Sequence, residues 1–151
     1  MNDSTAVNLN TQSDETRTVS IFGYELIREI LIPEILGKDT PEILYWAGKR
    51  LARMYPLNHY DELIEFFERA SWGHLTIKNE NKDEMEFELI SPLIVSRVKS
   101  KAEYYFQLEA GFLAQQIELQ KKVIAETFEH PVKKSNKVLF TVKWDKKDTL
   151  V

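Results

Sequence analysis

Glu109-Ala110-Gly111-Phe112-Leu113-Ala114 is the stretch on which the fold turns. Its neighbours are strong helix formers, and a glycine among them is unfavourable by about 1 kcal/mol relative to alanine. A steric need explains such a glycine: another backbone comes too close for a side chain. The run therefore predicts a helix packed hard against a sheet or a second subunit. The helical period extends over residues 100–120. Ala102, Phe106, Leu113 and Ile117 share one side, and Tyr105, Phe112 and Leu119 widen it. A helix apolar over so much of its circumference is covered on more than one side.

Upstream, Leu26, Ile27, Ile30 and Leu31 recur at helical spacing. They predict a helix over residues 21–36, interrupted at Pro33 and stopped at Gly37. Thr40-Pro41 reads as an N-cap followed by a first-turn proline, opening a second helix striped by Ile43, Leu44, Ala47, Leu51 and Met54. Asn58 caps a third helix, with Asp61 and Glu62 in its first turn and Leu63, Phe66, Phe67 and Ala70 on its buried face. The period then drops to two. Leu75 and Ile77 alternate with polar neighbours, a polar turn spans residues 79–83, and Met85, Phe87 and Leu89 alternate with Glu84, Glu86 and Glu88. That is a β-hairpin with one wet face, ended by Ser91-Pro92.

Beyond the long helix, residues 123–129 and 138–144 form a second hairpin, with His130-Pro131 and Ser135-Asn136 supplying turn chemistry. The order predicts an α+β fold: a four-stranded antiparallel sheet of two hairpins packed against about four helices. Residues 1–18 read as a disordered tail, residues 19–147 as one domain, and residues 148–151 as a second tail.

The chain has 151 residues, 43% of them hydrophobic, which suits one domain with one core. Its net charge of −4 gives no general reason to expect a nucleic-acid partner. It has no cysteine, so disulfides, thiolate metal sites and cysteine nucleophiles are excluded. No stretch reaches the roughly 20 apolar residues of a membrane span. The first residues lack the charged and apolar regions of a signal peptide, and a cytoplasmic protein is expected.

These elements resemble the 4-vinyl-reductase domain and the related TRAPP-complex subunits, a fold of ligand-binding domains in NO signalling and Golgi transport. Tyr45-Trp46-Ala47-Gly48-Lys49-Arg50 resembles that family's small-residue helix, and Ala70-Ser71-Trp72-Gly73-His74-Leu75 its approach to the first strand. Ser91-Pro92, Gly111-Phe112-Leu113-Ala114, Glu126 and Leu139-Phe140 resemble later landmarks in the same order. Among bacterial proteins the chain looks like the uncharacterised YslB-like family. The resemblance covers residues 22–144 and implies a TRAPP-subunit-like fold. Where some sensor relatives carry cysteines, this chain has Tyr105 or Phe106, Glu129 and Val138. A cysteine-ligated metal and the acylated cysteine of some trafficking subunits are thus both excluded. The second glycine of the helix motif is replaced by Gln115 or Gln116, which predicts a relaxed backbone contact there.

No catalytic motif is present, and a non-enzymatic domain without a cofactor is expected. His59, His74 and His130 form no metal-ligand pattern and read as surface or structural residues. The Glu84, Glu86, Glu88 ladder reads as a solvated strand face, and the lysines from Lys133 to Lys147 as a solvated hairpin. Glu109 is the one carboxylate on an apolar helix side. It needs a partner if buried, with Arg97, Lys99 or Glu126 as candidates. The resemblance suggests that Trp46, Phe67, Phe106, Glu109 and Phe112 line a pocket for a small hydrophobic ligand. The alternative is a protein-interaction scaffold. In either case the apolar content of the first two helices predicts a homodimer that buries part of them.

Overall fold

The computed structural model describes residues 17–94, 106–132 and 135–149. Most of the expected N-terminal tail, Arg97, Lys99 and the expected helical turns before residue 106 lie outside the described residues.

The first helical segment is built of short pieces. It comprises α1 (Ile21–Glu25), a π-helical stretch (Leu26–Leu31), α2 (Ile32–Leu36) and a 3-10 turn (Gly37–Asp39). Ser20 caps α1 by accepting the Gly23 N–H at 3.1 Å. The interruption expected at Pro33 is a widened turn just before it, in which the Ile32 N–H reaches back to Ile27. The proline then occupies the first turn of α2, where its missing donor costs nothing. Gly37 ends α2 at a φ of 70°, a conformation that favours glycine.

Three longer helices follow: α3 (Thr40–Met54), α4 (Tyr60–Arg69) and α5 (Gln107–Lys121). Among the described residues the count is thus three helices of ten residues or more, where about four were expected. The difference lies in the broken first segment. Thr40 is the first residue of α3 rather than its cap, and its hydroxyl donates to the Gly37 carbonyl at 2.5 Å. The cap of α4 falls at His59, one residue after the expected Asn58. Glu62 fixes this start by accepting both the Asn58 N–H at 2.8 Å and the His59 N–H at 3.2 Å.

The strands β1 (His74–Glu80), β2 (Glu84–Ile90), β3 (Val123–Pro131) and β4 (Lys137–Thr149) form one sheet. Its order is β1-β2-β4-β3 and every pair is antiparallel. The two expected hairpins are therefore joined through β2 and β4. The register places Phe87 opposite both Ile77 and Phe140, and Leu89 opposite both Leu75 and Val138. Alternation buries this face and leaves the glutamate ladder on the other, half-buried, with Lys137 3.6 Å from Glu88.

Helix α5 runs through the middle of the domain. Every residue from Glu109 to Glu118 is buried, so the predicted cover on more than one side is present. The helix meets β3 on one side and α3 on another. A Cβ built on Gly111 would overlap the carbonyl of Tyr45, and one built on Gly48 would overlap the carbonyl of Leu108. The two helices therefore cross backbone to backbone at reciprocal glycines. The close neighbour predicted for Gly111 is a helix of the same chain, not a sheet or a second subunit. Nor is the contact relaxed by the glutamine after it. Gln116 instead ties down the loop behind α3: its Nε2 donates to the Tyr55 carbonyl at 2.8 Å, and its Oε1 accepts the Leu57 N–H at 3.1 Å.

Candidate functional site

Four of the five nominated pocket residues lie wholly inside the core: Phe67, Phe106, Glu109 and Phe112 expose no surface. Phe112 stacks on Phe66 at 4.6 Å between centroids and meets Trp72 and Phe67 edge-on at 5.4 and 6.0 Å. The aromatic excess is thus spent on ring-to-ring packing between α4 and α5, in the offset and edge geometries that such rings favour. Trp46 does not join them. It stands on the outer side of α3 and is 78% exposed.

Glu109 is buried and paired, with a partner that sequence reasoning missed. Arg28, from the π-helical stretch, donates from Nη2 to Glu109 Oε1 at 2.8 Å, and its Nη1 donates to the Tyr24 hydroxyl at 3.2 Å. Burial by itself would favour a neutral guanidine. The Glu109 carboxylate outweighs it and holds the Arg28 guanidinium above its ordinary range. The one legible signal was an arginine set among Leu26, Ile27, Ile30 and Leu31.

This pair inverts the usual burial of a helix. Between Ile21 and Leu36 the only buried side chain is Arg28. Ile21, Phe22, Leu26, Ile27, Ile30, Leu31 and Ile35 are all exposed, Phe22 to 71% and Ile35 to 69%. Ile43 and Trp46 are exposed on α3 as well. Large exposed apolar surface of this kind marks an interaction site.

A second feature lies along β3, the outer strand of the sheet. Tyr45, from α3, accepts the Thr127 N–H on its hydroxyl at 3.1 Å. Glu118, from α5, accepts the Ala125 N–H at 2.9 Å and meets Lys49 Nζ at 3.3 Å. Pro131 has no N–H to offer. Side chains thus occupy donors that an edge strand would otherwise present to another strand. Burial pushes the Tyr45 hydroxyl above its ordinary value of 10.0, against the pull of the Thr127 N–H. Glu129 caps the start of α5, accepting the Phe106 N–H at 2.9 Å and Gln107 Nε2 at 2.8 Å.

Between α3 and the far half of β3 an open groove of about 750 Å³ remains. Trp46 and Tyr45 line one side, and residues from Glu126 to Pro131 the other. The histidines do not gather there. His130 reaches the groove, His74 sits 2.7 Å from Glu68 on the exposed surface, and His59 caps α4. Among the described residues no group of three or more His, Asp and Glu could hold a metal ion.

Comparison with known proteins places this architecture. A vinyl-4-reductase family protein from Methanocaldococcus jannaschii superposes with a TM-score of 0.65 and 21% identity, over 88% of this chain and 86% of that one. That likeness shows a shared fold. A trafficking protein particle complex subunit 3 from Naegleria fowleri, covalently bound to palmitic acid, overlaps at a TM-score of 0.48 and 13% identity, over 83% of this chain and 89% of that one. In sequence, the uncharacterized protein YslB of Bacillus subtilis (strain 168) is 51% identical over 130 residues, covering 86% of this chain and 88% of YslB. Residues 21–143 match the family described as "Protein of unknown function (DUF2507)", and the chain belongs to that family.

Proposed function

We propose that this chain is a non-enzymatic docking domain that acts as a homodimer, with the first helical segment buried against a second copy. The observation that carries the reading is the inverted burial of residues 21–36, where Arg28 is inside and seven large apolar side chains are outside. Leaving such surface in water opposes solubility, and covering it gains roughly 25 cal/mol per Å². A two-fold contact lets one apolar stripe cover its own copy, the simplest closed arrangement for a single chain. Three carboxylates, buried at Glu109 and Glu118 and half-buried at Glu129, also fit a structural domain. Glu109, Glu118 and Glu129 each hold one element against another rather than facing a cleft together. The lack of cysteine is consistent with a place in the cytoplasm.

Binding of a small molecule is the second reading, favoured by the groove between α3 and β3 with its exposed Trp46. A ligand lodged among Phe67, Phe106 and Phe112 would have to displace packed rings. Sedimentation equilibrium tests the first reading. A dimer that Ile30→Glu converts into a folded monomer supports it, and a wild-type monomer refutes it.

A further inference from the structure

We propose that the groove between α3 and β3 binds a small organic cation, a primary ammonium on an apolar body. This rests on the small-molecule reading of the groove and not on self-association. The charge of the lining carries the argument. Glu42, Glu126 and Glu129 contribute carboxylates, and among the described residues no lysine or arginine lines the groove. Glu129 is already engaged at the start of α5. Glu42 and Glu126 make no ion pair with the described residues, so their charges are available to a ligand.

The aromatic content points the same way. Trp46 stands 78% exposed beside these carboxylates, and an indole face is the strongest of the aromatic cation acceptors. Of the other groove rings, Tyr45 is half-buried with its hydroxyl engaged by the Thr127 N–H, and Phe128 already has the Lys143 ammonium 5.9 Å from its centroid. Trp46 is therefore the face left for a ligand. Thr127 also lines the groove. It is 4% exposed, and its Oγ1 lacks a hydrogen-bond partner. The Tyr45 hydroxyl lies near it, its acceptor side taken by the Thr127 N–H. An N–H donor arriving from the groove would satisfy that oxygen, which favours a primary over a quaternary ammonium. The volume of about 750 Å³ lies in the range of small-molecule sites and leaves room for an apolar body beside Trp46.

The test uses the full chain with its tryptophan indoles labelled with ¹⁵N. Trp72 and Trp144 are buried, so the Trp46 Nε1–H resonance reports the groove. Phenethylammonium chloride is titrated in, with sodium phenylacetate and sodium chloride as parallel arms. The expected result is a saturable shift of the Trp46 resonance by phenethylammonium alone, with affinity lowered roughly tenfold by E42Q combined with E126Q. An equal response to phenylacetate would overturn the proposal, as would a response that survives both carboxamide substitutions. The I30E variant separates the two readings. Cation binding that persists there while the protein becomes monomeric supports the groove independently of the dimer. Binding seen only in I30E would mean that the second copy covers Trp46, and would also overturn the proposal.

Discussion

Arg28 and Glu109 meet 2.8 Å apart with almost no exposure to water, joining a π-helical turn near the start of the chain to the central helix 81 residues later. The guanidinium is drawn inward while the isoleucines and leucines around it face out. One buried ion pair thus sets the orientation of the apolar surface on the first helical segment.

Removing one partner of that pair strands a buried charge. Glu109→Leu alone is expected to cost about 3–5 kcal/mol. The double variant R28M/E109L replaces both charges by apolar groups of similar length and is expected to recover most of that loss. Urea unfolding of the two single variants and the double variant closes the cycle. A double variant no more stable than the singles would contradict the assignment.

The helix crossing leaves no room for a methyl group. A Cβ on Gly111 meets the Tyr45 backbone and one on Gly48 meets the Leu108 backbone, and neither obstacle can rotate away. Gly111→Ala is expected to cost about 3 kcal/mol or more, although alanine is otherwise the better helix former. Ala114→Gly, which only loosens the same helix, is expected to cost about 1 kcal/mol. Thermal unfolding compares them, and a Gly111→Ala protein as stable as wild type would remove the close crossing.

Tyr45 links α3 to the edge strand. Burial raises its pKa above 10.0, so the fold prefers the protonated phenol. Its contribution is fully present below the unfolded value near 10 and is lost as pH rises through the higher folded value. Wild type is thus expected to lose stability between about pH 9 and pH 12 more steeply than Tyr45→Phe. Tyr60, also raised by burial, contributes a slope common to both proteins. At neutral pH the substitution removes the partner of the Thr127 N–H and is expected to cost about 1 kcal/mol. Urea midpoints across the pH range check both statements, and parallel curves for the two proteins would refute the first.

Much of this architecture is legible in local pattern. The strands show because Met85, Phe87 and Leu89 alternate with three glutamates, and Gly111 announces a close neighbour because nothing else explains it. What local pattern cannot carry is the identity of partners distant in sequence. Gly111 does not say that Gly48 answers it, and Glu109 does not say that Arg28 comes from 81 residues away. The aromatic residues misdirect for a similar reason. Phe67, Phe106 and Phe112 are equally apt for a pocket wall and a packed core, and only the structure shows that they pack, Phe67 and Phe112 by ring geometry and Phe106 by its complete burial. Trp46 lies beside the apolar stripe of α3, and that stripe does not show which side of the helix faces water.

The most direct test of the account is sedimentation equilibrium of the unaltered chain at protein concentrations from about 1 to 100 μM, a range that spans association constants of moderate strength. The account predicts about twice the chain mass over the upper part of the range, falling to the chain mass for a folded Ile30→Glu variant. A wild-type protein that keeps the monomer mass up to about 100 μM would contradict it.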